Sequence, residues 1–420
     1  MTDEKISVPP LRLARRQFSK AALAATGVAA LGLPASAILA QTRTLKVGML
    51  LPRSGFFAQA GQGCQRGADI AAALLSENGL RVELLNADTE SDTNVARSRA
   101  EKLIGDGAQV LVGAFDSGHT AAVAQVAEQH GVPLVINIAA APQLTEQGYR
   151  TVFRNFPTSK TLVRNGLALM KDLFQATRKT PATAVCMYAN DTFGQANKAA
   201  VEALLPQLDM PFRVLESINY DFAAKDLSAE VAKAKATGAD LVIASTRAND
   251  AIMLVREMVK QRYQPMGLIS PGSPGFYDDQ FYKVLGRYGD FVISNVPWID
   301  PKSEVARRIE TAYRKEFPSY RYESDAFNVG FTFEAVLVAT DAARRAGSTD
   351  PKALLQALPG THLPEHVMIG APIQFDPKGQ NNGVGSAAVQ NRNQRPTVVL
   401  PKSSAELDPV FPIPAWQGRS

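Results

Sequence analysis

The chain has 420 residues, 45% of them hydrophobic and 20% charged, enough to bury a large core and to divide into two globular domains, which excludes a disordered protein. Its formal charge of +5 comes without a basic stripe interleaved with aromatics, so nucleic acid is not an expected partner. No apolar run approaches the length of a membrane span.

The first forty residues read as an export signal and not as part of the fold. Arg12 to Lys20 is basic, Ala21 to Leu33 weakly apolar, and small-residue cleavage sites end at Ala37 and Ala40. Arg15-Arg16-Gln17-Phe18-Ser19-Lys20 resembles the twin-arginine motif, whose pathway exports folded proteins. The segment carries a net charge of +3, so the remainder holds about +2, and the pI of 9.1 overstates its basicity. No Cys follows either cleavage site, which disfavours a lipid anchor; a periplasmic protein is expected. Cys64 and Cys186 fall in separate predicted domains, so two buried free thiols are expected.

Leu45 to Leu51 reads as a strand, followed by the loop Pro52-Arg53-Ser54-Gly55-Phe56-Phe57 and a helix from Gly63 to Asn78 ending at Gly79. Strand Val82 to Asn86, an acidic loop Asp88 to Asp92 and helix Thr93 to Asp106 come next. From Val110 to Thr145 two strand-to-loop passages follow each other. Val110-Leu111-Val112-Gly113 leads into a helix opening at Ser117, and Val132 to Asn137 leads into the small-residue loop Ile138 to Thr145. Parallel strands ending in such loops place both tips at one sheet edge, where open α/β sheets bind ligands.

The alternation resumes with helix Ser159 to Phe174 and strand Thr183 to Tyr188. Helix Gln195 to Leu208, strand Phe212 to Ile218, helix Lys225 to Thr237, strand Leu241 to Ser245, helix Asn249 to Gln261 and strand Met266 to Ser270 continue it. Strand Phe291 to Val296, helices Glu304 to Phe317 and Asp325 to Ala346, and a last strand at Thr397 to Leu400 complete the pattern. Two doubly wound parallel sheets are predicted.

In order along the chain, Leu50-Leu51-Pro52-Arg53-Ser54-Gly55, Gly67-Ala68-Asp69-Ile70-Ala71, Val112-Gly113-Ala114-Phe115-Asp116-Ser117, Pro142-Gln143-Leu144-Thr145, Phe153-Arg154-Asn155 and Asp191-Thr192-Phe193-Gly194 carry a resemblance. Together they resemble the type I periplasmic solute-binding proteins, nearest the branched-chain amino acid (Leu/Ile/Val) receptors of ABC importers. The resemblance implies a non-enzymatic receptor without cofactor or metal, a monomer that presents its ligand to an inner-membrane permease. It implies two lobes, 41–158 plus 297–383 and 159–296 plus 384–400, with a tail from 401 to 420. Three crossings near 157–159, 296–298 and 382–385 would form the hinge.

The same resemblance implies a ligand site at Ser54, Phe56, Asp116, Ser117, Ile138, Ala139 and Ala140 on one lobe, and Phe193, Arg247 and Ser273 on the other. Ser117 and the loop Ile138-Ala139-Ala140 correspond to the family's carboxylate cradle, although Ala140 stands where a threonine is common. Phe193 stands where a tyrosine is common, Arg247 about where the family places an aromatic, and the loop Pro271 to Phe276 holds none of the acids that pair with a ligand ammonium. A buried ammonium without a counter-charge is costly, whereas an arginine grips a carboxylate in two places. A small organic carboxylate, possibly aromatic, is therefore the expected ligand, packed on Phe56, Phe57 and Phe193. An amino-acid or amide receptor, or a sensory subunit of the same fold feeding a regulator, is the alternative.

Two further motifs carry no expected function. His362-Leu363-Pro364-Glu365-His366 spells an inverted zinc-protease motif, but its proline argues against the helix that metal binding needs. Gly61 to Gly67 resembles a dinucleotide fingerprint whose third glycine comes one residue late.

Overall fold

The computed structural model describes residues 43–300 and 303–419; the export-signal expectation falls on residues outside these. The chain opens as β1 (Arg43–Leu51), α1 (Ala58–Leu75), β2 (Leu80–Asp88), α2 (Thr93–Gly105), β3 (Val110–Gly113), α3 (Ser117–His130), β4 (Leu134–Ile136) and β5 (Val152–Arg154). These strands form one parallel sheet in the order β2-β1-β3-β4-β5. β3 and β4 are buried at every position, as strands covered by helices on both faces must be. Helix α1 starts earlier than its periodicity predicts and stops at Leu75, because the reversal into β2 takes Asn78 and Gly79 through positive φ.

A second unit follows as α4 (Ser159–Thr177), β6 (Thr183–Ala189), α5 (Thr192–Leu204), β7 (Arg213–Tyr220), α6 (Ser228–Ala236), β8 (Leu241–Ser245), α7 (Ala248–Lys260), β9 (Gly267–Pro271), α8 (Asp279–Leu285) and β10 (Ile293–Val296). The chain then forms α9 (Glu304–Glu316), α10 (Tyr322–Ala346), α11 (Pro351–Ala357), β11 (Ala387–Arg392) and β12 (Arg395–Leu400). The second sheet has the order β12-β11-β10-β9-β8-β6-β7. β11 and β12 pair antiparallel as a hairpin turned by Asn393 and Gln394, both at positive φ, as a two-residue hairpin loop requires. The fold is thus α/β with two doubly wound lobes, parallel throughout the first sheet and antiparallel at one edge of the second.

The chain passes from the first sheet to the second between β5 and α4, returns between β10 and α9, and enters the second sheet again at β11. Helix α10 is buried along nearly its whole length and lies against α1 and the first sheet. The two helices come so close that a Cβ on Gly67 would sit 2.6 Å from the Val329 carbonyl oxygen. Beyond β12 the chain is not a free tail: Phe411, Ile413 and Trp416 are buried. Ile413 N–H donates to Met266 O at 2.8 Å and Trp416 Nε1 to Tyr263 O at 2.7 Å, which fixes the segment to the second lobe.

Both cysteines are free and buried, Cys64 in the first lobe's core and Cys186 in the second's. No described helix is long and apolar enough to cross a membrane. The two histidines of the zinc-protease-like motif have separate partners, His362 with Gln374 and His366 with Glu334.

Candidate functional site

The carboxyl-end loops of both sheets face each other across a cleft, the position where open α/β sheets bind ligands. The lobes touch there. Phe56 packs on Phe222 of the β7–α6 loop with ring centroids 5.3 Å apart, and Asn249 Nδ2 donates to Phe56 O at 3.0 Å. Between these contacts lie two adjoining narrow cavities that share Phe115, Arg247 and Pro274 as walls.

The inner cavity is walled by Phe115, Phe156, Phe193 and Phe327, with Ser117 and Ile138 to Ala140 along one side. Ser117 opens α3 one residue after Asp116, whose Oδ1 accepts the Gly118 N–H at 2.8 Å and so caps the helix. The Ser117 hydroxyl accepts the Ala141 N–H at 3.3 Å, which leaves its own hydrogen to donate. Among the described residues, the N–H groups of Ile138, Ala139 and Ala140 have no acceptor. Buried amides without partners are uncommon, and consecutive ones make a site for an anion.

The carbonyls of this loop are held from behind. Arg154 Nη1 donates to Ala139 O at 3.2 Å and to Ala141 O at 2.7 Å. Ser159, at the first crossing, donates to Ala140 O from its amide at 2.6 Å and its hydroxyl at 3.1 Å. With the oxygens held on one side, the planar peptide joining Ala139 to Ala140 sends its N–H the opposite way.

The facing wall is charged. Arg247 precedes α7 and spans the cleft: Nη2 donates to Asp116 Oδ2 and Nη1 to Asp191 Oδ2, both at 2.6 Å. Its guanidinium carbon lies 4.9 Å from the ring centres of both Phe57 and Phe193. Burial alone would lower its pKa, but Asp191, Asp116 and Asp250 outweigh that and raise it. Asp116 is held below the usual carboxylate range: burial opposes ionisation, and Arg247 and His119 outweigh it. Asp191 also caps α5 through the Gly194 amide at 2.7 Å, and a Cβ on Gly194 would stand 1.9 Å from Ala189 O, so this turn admits no larger residue. Behind Arg247, Asp250 accepts the Tyr220 hydroxyl at 2.7 Å, and its burial raises its pKa to about 6.

The outer cavity is lined by Phe56, Phe57, Phe115, Tyr277, Asp278, Ser324 and Asn328 among others. Burial lifts the Asp278 carboxyl to about 7. The Tyr277 hydroxyl and Asn328 Oδ1 are buried without a partner among the described residues.

Of the residues expected at the site, Phe56 lines the outer cavity, Asp116, Ser117, Ile138, Ala139, Ala140 and Phe193 line the inner one, and Arg247 borders both. Ser54 and Ser273 line neither. Ser54 is exposed, its amide donating to Asp88 Oδ1 at 3.2 Å. Ser273 is wholly buried, and its hydroxyl accepts the Thr246 N–H at 2.9 Å and meets Ser270 Oγ at 2.6 Å. The loop after Ser270 carries no acid before Asp278, as its sequence reads, and Asp278 itself, the residue before α8, lines the outer cavity. Phe156 and the α10 residues Ser324, Phe327 and Asn328 carried no local signal, since α10 is buried nearly all round.

The fold and cleft are those of a ligand-binding protein with two lobes, and comparison with known proteins supplies the family. The sequence pattern described as periplasmic binding protein matches residues 44–393, and the chain belongs to that family of extracytoplasmic solute-binding receptors, not of enzymes. It is 26% identical over 321 residues to Leu/Ile/Val-binding protein homolog 1 of Brucella abortus, covering 74% of this chain and 81% of that one. Two solved structures share the fold, each with a TM-score of 0.72 and 18% identity. One is a solute binding protein of an ABC transporter from Rhodopseudomonas palustris in complex with 3,4-dihydroxybenzoic acid, matched over 87% of this chain and 98% of that one. The other is a branched-chain amino acid transporter substrate binding protein of Streptococcus pneumoniae in complex with isoleucine, matched over 88% and 100%.

Proposed function

We propose that this protein is the periplasmic receptor of an ABC import system, clamping a small organic carboxylate with an aromatic or apolar body and presenting it to an inner-membrane permease. The observation that carries this reading is the row of three unpartnered amides at Ile138, Ala139 and Ala140 beside the Ser117 hydroxyl, in a cavity whose other walls are four phenylalanines, Gly272, Pro274 and the paired Asp116 and Arg247. Amides and a hydroxyl suit a carboxylate, and ring walls suit its body. Closure around ligand, the signal a permease reads, would take place about crossings near 157–159, 296–298 and 382–385, between lobes of 41–158 plus 297–383 and 159–296 plus 384–400.

The relatives named above divide between an aromatic acid and an amino acid. Ala140, where an amino-acid receptor commonly has a threonine, favours the aromatic acid. Asp278 favours the second reading, an amino-acid receptor, because a carboxylate in the outer cavity could meet a ligand ammonium. Arg247 does not offer a free grip on the ligand in this structure, since Asp116 and Asp191 take both of its terminal nitrogens.

Calorimetric titration of the purified protein with benzoate, 3,4-dihydroxybenzoate, isoleucine and leucine separates the readings. The aromatic acids are expected to bind at micromolar concentrations and the amino acids at least tenfold more weakly. Tight binding of isoleucine or leucine with none of either benzoate would replace the first reading with the second.

A further inference from the structure

The charges in the cleft do not by themselves favour an anion. Arg247 is spent on Asp116 and Asp191, and Asp278 adds a further acid. A carboxylate at the Ile138 to Ala140 loop needs another source of positive potential. Arg154 stands directly behind that loop on β5, with no solvent exposure. Its Nε donates to Gln380 Oε1 at 2.6 Å, its Nη2 to Thr145 Oγ1 at 2.8 Å, and its Nη1 to the two loop carbonyls already described. All of these acceptors are neutral. Among the described residues no carboxylate lies within ion-pairing distance of it. Burial lowers its pKa to about 9, which still leaves it charged at neutral pH.

We infer that Arg154, without touching ligand, is the positioning residue that makes this cleft select an anion. Its charge, in contact with no carboxylate and offset only at longer range by Glu146 and Asp376, pulls on the Ala139 carbonyl, and the peptide it polarises presents the Ala140 N–H on the opposite side, where a ligand carboxylate sits. The contact with Gln380 ties the same guanidinium to the third crossing, where Arg154 N–H also donates to Gly379 O at 2.7 Å and Asn381 N–H to Arg154 O at 2.9 Å. The loop that holds the carboxylate is therefore braced against the hinge through one side chain. The inference rests on the carboxylate reading above and adds the origin of its charge selectivity.

The test uses benzoate and benzamide, equal in shape and different in charge, titrated into the full-length protein and its Arg154→Gln and Arg154→Lys variants. In Arg154→Gln the preference for benzoate over benzamide is expected to fall about tenfold while benzamide affinity stays within about twofold; Arg154→Lys keeps most of the preference. Equal losses for both ligands would reduce Arg154 to a structural brace and overturn the inference. A second measurement needs no ligand binding. In Ser117→Cys the new thiol borders the same amides, while Cys64 and Cys186 are buried, with pKa values raised to about 12, and stay silent. Alkylation against pH is expected to give this thiol a lower pKa than the same thiol in the Arg154→Gln background, because the α3 N-terminus and Asp116 act alike on both. Equal values in the two backgrounds overturn the inference. A lowered thiol pKa in a protein that ignores benzoate keeps the positive field and rejects the aromatic carboxylate reading instead.

Discussion

On the first-lobe wall of the cleft the polar surface is the amides of Ile138 to Ala140 with the Ser117 hydroxyl and one carboxylate, Asp116, which Arg247 takes, while its cation, Arg154, is set back behind the backbone. On the second-lobe wall the charges stand in the cleft itself, with Arg247 between two carboxylates and Asp278 nearby. The difference teaches how one cleft can both recognise and close. A backbone cradle keeps its geometry because two lobe crossings brace it, through Ser159 and through Arg154 with Gln380. An ion pair across the lobes, Arg247 with Asp116, would lengthen if the lobes moved apart about the proposed hinge, so it would stabilise their closed arrangement.

The comparison breaks most visibly at Arg247. Arg247→Ala leaves Asp116 and Asp191 facing each other, both largely buried, with no cation between them. Losing one partner of a buried pair costs about 3–5 kcal/mol, so urea unfolding should show a loss of that order. Small-angle scattering should show a more open ligand-free protein. A variant with wild-type compactness and stability would mean that the pair has no part in closure. Asp116→Asn is the milder form: Arg247 keeps Asp191, the cross-lobe link weakens, and opening should appear with a loss of about 1–2 kcal/mol. If Asp116→Asn scatters like the wild type, the clasp is confined to the second lobe.

Much of this arrangement was legible in the sequence, and the gaps have physical causes. The buried strands β3 and β8 announce themselves as short runs of valine, leucine and isoleucine, and the turns between strand and helix expose Asp116, Ser117, Asp191, Phe193 and Arg247 by position. What hides is whatever depends on a partner far along the chain. Arg154 reads as part of a short motif, but its significance comes from Gln380, 226 positions away. Arg247 reads as a free loop cation until Asp116, 131 positions earlier, is brought to it. β5 and β11 escaped because one has three residues and the other ends in Gln, Asn and Arg, which do not look like sheet until the second lobe buries Gln390 and Asn391. Asp278 is legible as the first acid after β9, but its place in the outer cavity depends on how the loop from Pro271 folds back to the cleft.

That acid gives the comparison a pH dependence. A carboxyl whose pKa rises on folding, from 3.8 to about 7 at Asp278, binds its proton more tightly when folded. The stability it contributes is therefore complete below about pH 4 and is lost as pH rises through about 7. Asp278→Asn cannot ionise, so it should match the wild type at pH 4 and exceed it in unfolding free energy by about 1–2 kcal/mol at pH 8, with water entry offsetting part of the full penalty. Asp250 shifts the same way, but it is present in both proteins and cancels in the difference. Benzoate affinity should also fall between pH 6 and 8 in the wild type and stay level in the variant. A constant stability difference across that range would mean that water already solvates Asp278.

The smallest effect separates the cradle from its surroundings. Ser117, the first residue of α3, and Ser54, in the β1–α1 loop, both follow the carboxyl ends of first-sheet strands, and the family resemblance suggests both for ligand contact. Ser117 lines the inner cavity with a hydroxyl hydrogen still to give, whereas Ser54 is exposed and engaged through its backbone with Asp88 and Ser91. Ser117→Ala removes one hydrogen bond to a charged ligand and leaves the Ala141 amide in need of an acceptor. Benzoate affinity is expected to fall about threefold to tenfold, near 1 kcal/mol. Ser54→Ala removes a hydroxyl that faces Asp88 and lines neither cavity, and calorimetry should return the wild-type value. Equal losses at the two serines would move the carboxylate out of the cradle and toward the β1–α1 loop, and the contrast between a backbone wall and a charged wall would then describe the fold without describing recognition.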